Sequence, residues 1–457
     1  MAGPSPLILD GPCNAPPLLS SREGWKVASS HYEPWRKFKT SRIPAGPACW
    51  SPVFHEDLEG LKASGPSGLR PADNMPRQLG FAGGPGIFSL WPHPHSSIER
   101  PMKSNPWKRY LRPEVLREAA YHLSSYPEAI KLNQNELPYD LPEDLKEELL
   151  RRLRALPFQR YPLPQPMALK RRLAEQLGLK PEQIEVANGS NVLIQALILA
   201  TSLKGKVLTL DPTFSVYEIE AKLFGNRVIR VPLQEPDFGL PLEKTLAALK
   251  RQRPNIAFIA NPNAPTGNLF PEEALLEVVA KAKCLVVVDE AYVQFSQATL
   301  LPHLKKFPNL VLLRTFSKGF GLGGARIGYL AAHPALAENL SKILMPYCLS
   351  SLSEATAHFV LDHADRFAPI VAEVIRERGR MLAAMRALPG LRVWDSAANF
   401  ILFRVKNAKA CFARLLAAGV LVRNVSDHGG LKNCLRVSVG RPEENDAFLG
   451  ALDAYCR

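Results

Sequence analysis

From about residue 105 onward, short apolar runs alternate with longer segments whose apolar positions recur every three or four residues. Lys206–Leu210, Ile256–Ala260, Leu285–Val288, Leu310–Leu313 and Ile327–Leu330 are four or five residues long, rich in Val, Ile and Leu, and do not alternate apolar with polar. Strands buried on both faces have this pattern, so it predicts a mainly parallel sheet sandwiched by helices. Leu145, Leu149, Leu153 and Leu156 predict one face of a helix. The last hundred residues change rhythm, with strands predicted at Leu391–Trp394, Asn399–Val405, Val420–Arg423 and Cys434–Val439, and helices at 408–418 and 442–455. The fold class read from this is α/β, with a smaller α+β domain at the C-terminal end that residues 105–140 complete. The division is an arm at 104–150, a large domain at 151–345 and a small domain at 346–457.

Residues 1–103 stand apart. Positions 1–101 hold 16 of the 41 prolines and four of the six tryptophans, with little periodicity. Proline at this density blocks regular hydrogen bonding, and no run is long enough to build a core. The expectation is a disordered or non-native extension, with Met102 as the natural start.

Composition narrows the class. At 457 residues, 46% apolar and 22% charged, the chain reads as a soluble globular protein able to bury a large core. No uninterrupted apolar stretch approaches the roughly 20 residues of a membrane helix, and no secretory signal opens the chain. Seven scattered cysteines without a Cys-x-x-Cys pair argue against a disulfide framework or a metal site, and fit a reducing cytoplasm. The net charge of +14 comes from Lys and Arg interleaved with Glu, as at 142–154, which describes solvated helix faces rather than a nucleic-acid surface.

Polar residues follow the apolar runs, where open α/β sheets bind ligands. Lys318 lies in Arg-Thr-Phe-Ser-Lys-Gly-Phe-Gly-Leu-Gly-Gly-Ala-Arg (314–326), where small neighbours leave room for a bulky group. A buried lysine amine has a lowered pKa and can attack an aldehyde. Asp289 ends Cys-Leu-Val-Val-Val-Asp, and a carboxylate there needs a partner such as a pyridinium N–H. Tyr292 and Asn261, the latter in Asn-Pro-Asn-Ala-Pro-Thr-Gly (261–267), can reach a phenolic oxygen, and Phe214 can stack on an aromatic ring. Gly189-Ser190-Asn191 opens a predicted helix and, with Ser317 and Arg326, can hold a phosphate. Asn399, Arg423 and Arg436 are candidates for substrate contact, the arginines for an anionic group. Each residue taken singly has an ordinary structural explanation. Together, in this order, they describe a site for pyridoxal 5'-phosphate.

These motifs resemble those of fold-type I pyridoxal-phosphate enzymes in the class I/II aminotransferases, nearest to the histidinol-phosphate branch, over about residues 105–457. Lys-Leu-Asn-Gln-Asn-Glu-Leu-Pro-Tyr (131–139), Arg-Tyr-Pro (160–162), Val-Ala-Asn-Gly-Ser-Asn (186–191) and Asp-Pro-Thr-Phe-Ser-Val-Tyr (211–217) carry the likeness. So do Ala-Asn-Phe-Ile-Leu-Phe-Arg (398–404) and Cys-Leu-Arg-Val-Ser-Val-Gly (434–440). The resemblance implies transamination between a small anionic amino donor and a 2-oxo acid, in a homodimer with shared active sites. It implies that Tyr161 reaches the phosphate of the neighbouring subunit's cofactor, that Asn135 lines the substrate cleft and that Arg436 holds the substrate anion. Two departures stand out. Ala264 replaces a usual asparagine, and the N-terminal Pro-Tyr motif that helps bind substrate phosphate has only Tyr121 and Tyr126 as loose counterparts. An aromatic or broad-range aminotransferase, or a threonine-phosphate decarboxylase, would keep the same core motifs. An aminotransferase-like transcription regulator would need a winged-helix domain, and residues 1–101 show no paired recognition-type helices.

Overall fold

The computed structural model of the chain describes residues 106–120 and 126–457, so the extension at 1–103, the start at Met102 and Tyr121 lie outside the described residues. The main sheet has seven strands: β1 (Ile184–Ala187), β2 (Lys206–Asp211), β3 (Arg227–Pro232), β4 (Ile256–Ala260), β5 (Leu285–Asp289), β6 (Leu310–Thr315) and β7 (Gly328–Ala331). Their order is β1-β7-β6-β5-β4-β2-β3. Neighbours are parallel except where β7 runs against β6 and β1. The run at Ile327–Leu330 therefore departs from the parallel expectation. Turns rather than a helical crossover connect it to Thr315, so it returns antiparallel.

The burial of each strand explains its composition. β4 and β6 are buried at every position, whereas edge strand β3 exposes Arg227 and Arg230 and buries Ile229 and Val231. β3 therefore lacks a continuous apolar run, and β1 lacks one because Glu185 interrupts it. Glu185 is buried and paired with Lys170 at 2.8 Å. Alternate side chains feed opposite faces of the sheet: Val286, Val288, Leu310 and Leu312 enter one apolar cluster, and Val287, Val311 and Leu313 the other. Burying each contributes about 1.5–3 kcal/mol. The helix Glu143–Arg154 buries Leu145 and Leu149 as its periodicity predicts, while Leu156 falls just beyond its end.

A second, antiparallel sheet comprises β8 (Arg392–Val393), β9 (Phe400–Arg404), β10 (Arg423–Asn424) and β11 (Cys434–Ser438), in the order β10-β11-β9-β8. The predicted strand Val420–Arg423 is in fact two. Val420–Leu421 pairs in parallel with Ile130–Lys131, then the chain changes partner and Arg423 sits opposite Arg436 on β11. Among the described residues, no helix is long and apolar enough to cross a membrane.

This topology positions the site. The carboxyl ends of β1, β2, β4, β5 and β6 open on one edge, and the order reverses between β2 and β4. Next to Asp289, the buried Glu290 carboxylate accepts hydrogen bonds from Leu300 N–H at 2.8 Å, Thr299 Oγ1 at 2.9 Å and Arg314 Nε at 2.9 Å. Truncating Glu290→Ala strands a buried guanidinium, so stability should fall by about 3–5 kcal/mol. Denaturant unfolding measures this, and adding Arg314→Ala should cost less than the sum of the two single changes.

Candidate active site

A cavity of about 320 Å³ lies at that edge. Lys318 enters it three residues after β6, its Nζ donating to the Gln134 carbonyl at 2.9 Å. Burial pushes the amine down to about 7, with the nearby Arg436 adding to the effect and Glu136 opposing it. Half of the amines are then neutral, and nucleophilic, near neutral pH.

Asp289 closes β5. Its Oδ2 accepts from Tyr217 Oη at 2.6 Å and its Oδ1 from Ala291 N–H at 3.0 Å. Burial pushes the carboxyl up to about 6, and those two donors hold it down. The Tyr292 hydroxyl accepts from Asn135 Nδ2 at 2.9 Å. Asn135 is in turn fixed in a left-handed conformation (φ 54°), its N–H donating to Ser438 Oγ at 2.8 Å and its carbonyl accepting from Asn399 Nδ2 at 3.0 Å.

A cradle for an anion faces this pair. Helix Ser190–Thr201 starts at the cavity wall, with the Ser190 and Asn191 amides ahead of its first hydrogen bond, Val192 N–H to the Gly189 carbonyl at 3.2 Å. Gly189 has φ 84°, and a Cβ there would lie 2.3 Å from the Arg326 guanidinium. Gly328, paired with Ala187 on one side and Thr315 on the other, would place a Cβ 2.2 Å from Ser190 N. Only the absence of both side chains lets these elements meet. Ser317 and Arg326 complete the wall, with Arg326 Nη1 donating to the Gly323 carbonyl at 3.1 Å.

Other predicted residues are distributed less uniformly. Ser190, Asn191, Phe214, Asn135, Arg423 and Arg436 line the cavity, the last with Nη2 on the Asn133 carbonyl at 2.9 Å. Asn261 is beside it but not on its wall: its Oδ1 accepts from Phe270 N–H at 2.9 Å, and Ala260, Ala264 and Pro265 form the surface there. Asn399 is fully buried behind Asn135 rather than facing the cavity. Tyr161 is 84% exposed, outside the cavity, with its ring 5.1 Å from that of Tyr347. Tyr126 is exposed and also outside it. Sequence reasoning missed Tyr217, Gln134 and His428. Tyr217 closes the quoted motif at 211–217, but only the fold shows its hydroxyl reaching Asp289. Among the described residues, no group of His, Cys, Asp or Glu is arranged to hold a metal ion.

A buried, partly neutral lysine, a carboxylate facing it and an anion cradle at a parallel-sheet edge define an enzyme that captures a phosphorylated aldehyde, and the donor set fits pyridoxal phosphate. The chain belongs to the aminotransferase class I and II family, whose model matches residues 127–452. It is 40% identical over 352 residues to histidinol-phosphate aminotransferase 2 of Nitrosococcus oceani, covering 76% of this chain and 97% of that one. It is 42% identical over 354 residues to histidinol-phosphate aminotransferase 1 of Ralstonia nicotianae, covering 76% and 94%. The structure of histidinol-phosphate aminotransferase from Sinorhizobium meliloti in complex with pyridoxal-5'-phosphate superposes with a TM-score of 0.68 at 26% identity, covering 76% of this chain and 97% of that one.

Tyr217 favours the ionised form of Asp289, so Tyr217→Phe should raise the Asp289 pKa above its present value of about 6. Ring-nitrogen pairing needs the carboxylate. Cofactor affinity should therefore fall about three- to tenfold, most steeply below neutral pH, as measured by fluorescence titration of the apoprotein across pH.

Proposed function

We propose that this protein catalyses pyridoxal-phosphate-dependent transamination between histidinol phosphate and 2-oxoglutarate, giving imidazole acetol phosphate and glutamate. The observation that carries the chemistry is the Lys318 amine, held near pKa 7 in one cavity with Asp289 and three arginines. The substrate comes from the names of relatives about 40% identical along nearly their whole length.

Pyridoxal phosphate, when bound, supplies an electron sink for the pair left when the amine-bearing carbon of the substrate loses its proton. The residues of this chain do the rest. Ser190, Asn191, Ser317 and Arg326, with the amides after Gly189, hold the phosphate. Asp289 would keep the ring nitrogen protonated, and Tyr292 would address the phenolic oxygen, with Asn261 fixing the turn beside the cavity. Phe214 covers one ring face. Lys318 would hold the aldehyde carbon, and its Nζ would move the proton at the amine-bearing carbon, as base and then as acid. Arg436 and Arg423 hold the anionic end of either substrate, and Asn135, positioned by Asn399, borders it.

The arm, large domain and small domain divide at 104–150, 151–345 and 346–457. In the homodimer, the partner covers exposed apolar side chains such as Phe158 and Met345, 73% and 75% exposed, and Tyr161 completes the partner's phosphate site. The setting proposed is the cytoplasm.

Adding histidinol phosphate alone to the loaded protein should convert its visible absorbance band toward the near ultraviolet, and 2-oxoglutarate should restore it. A band that ignores histidinol phosphate but responds to phenylalanine or releases carbon dioxide from threonine phosphate would replace the substrate and keep the chemistry. Lys318→Ala should lower turnover by about 10²–10⁴-fold or more, measured by glutamate release, while the fold persists. Because a neutral amine is needed, cofactor capture by the apoprotein should accelerate as pH rises through about 7 and then level off, as followed by stopped-flow absorbance.

A further inference from the structure

His428 is a polar residue on the cavity wall that the chemistry above does not use. It lies between β10 and β11, in a loop folded by two hydrogen bonds: His428 N–H to the Val425 carbonyl and Leu431 N–H to the His428 carbonyl, both 3.1 Å. A Cβ on Gly429 would fall 2.5 Å from an Asp211 carboxylate oxygen, so the loop is seated directly on the end of β2. The ring thus borders the main cavity beside Arg423 and Arg436, and on its other side a cavity of about 260 Å³ that carries Asp211, Glu218, Arg230 and Asp427. It makes no hydrogen bond to another described residue. Burial pushes its pKa down; Arg423 and Arg436 add to this, and Asp211 and Asp427 oppose it.

We propose that His428 selects a phosphate monoester over a carboxylate at the anion-binding end of the substrate, its imidazole N–H closing a third contact on a dianion held by Arg423 and Arg436. The inference rests on reading those two arginines as the substrate-anion site. A third fixed cation would be repelled by them before substrate arrives. A neutral imidazole avoids that repulsion and still donates a hydrogen bond. A monoester dianion presents three oxygens and more charge than a carboxylate, whose two oxygens the arginines already satisfy.

The test is calorimetric binding of propyl phosphate and of glutarate to the cofactor-loaded wild type, His428→Ala and His428→Gln, alongside KM for histidinol phosphate. His428→Ala should weaken propyl phosphate about tenfold and glutarate less than about twofold, the loss of one charge-assisted hydrogen bond. His428→Gln, which keeps an N–H donor, should recover most of that loss. Equal weakening of both probes would reduce His428 to a loop-packing role and overturn the proposal, as would unchanged phosphate affinity. If histidinol phosphate is inert with the wild type while propyl phosphate binding still depends on His428, the substrate reading falls and this one stands. If histidinol phosphate turns over and His428→Ala leaves its KM unchanged, only this inference falls. Wild type that neither binds propyl phosphate nor turns over histidinol phosphate refutes both.

Discussion

A carboxylate at the end of an apolar strand is the constraint around which the site is arranged. Asp289 follows four consecutive apolar residues on a strand flanked by β4 and β6, and ionising it there is unfavourable without partners. Tyr217, from the helix after β2, and the Ala291 amide supply two. Glu290, one residue on, has its own cation in Arg314, so the two adjacent carboxylates do not share a partner. A cationic ring nitrogen would relieve the burial that remains. The same strand end fixes Tyr292 three residues later, and through it Asn135, so the carboxylate, the hydroxyl and the substrate cleft share one anchor.

The two sheets meet through shared apolar clusters, in which Tyr292 packs with Phe400, and through buried hydrogen bonds. Asn135 touches Tyr292 of the large sheet's edge and Ser438 and Asn399 of the small sheet, in a left-handed backbone conformation that those bonds maintain. Arg436 lies on β11, two residues before Ser438, and closes on the carbonyl of Asn133. Segment 133–135 therefore links the two sheets as well as forming a cavity wall: the Gln134 carbonyl, between these two, accepts from the Lys318 amine. Displacing it would move the lysine's resting contact and the arginine's together.

The main sheet was legible because its central strands are buried on both faces and must be apolar throughout. β3 and β1 were not, since an edge strand alternates and β1 carries a paired glutamate. Strand-end chemistry was legible for a related reason: Asp289, Ser317 and Lys318 are polar residues directly after apolar runs, where solubility of the core gives them no purpose. Tyr217 lies on the helix after β2, and its function depends on which strand lies beneath it. Asn399 was read as facing substrate from its place before β9, yet the register turns its amide toward the backbone of Asn135 and Glu136. His428 sits in a loop whose position on β2 no periodicity encodes.

Burial moves the two central titrating groups toward neutrality from opposite sides, and linkage gives this a consequence for the fold. The Asp289 pKa is raised to about 6, so its contribution to stability is present below its usual carboxylate range and is lost as pH rises through 6. The Lys318 pKa is lowered to about 7, so the folded state loses stability as pH falls from the usual lysine range toward 7. Both penalties are at their fullest between about 6 and 7. A ligand that pairs with the carboxylate and consumes the amine removes both at once, so cofactor binding and folding reinforce each other most strongly near neutral pH. The burial that makes these groups costly to the apoprotein is also what leaves a nucleophilic amine and an ionisable partner for a ring nitrogen available in the same pH window.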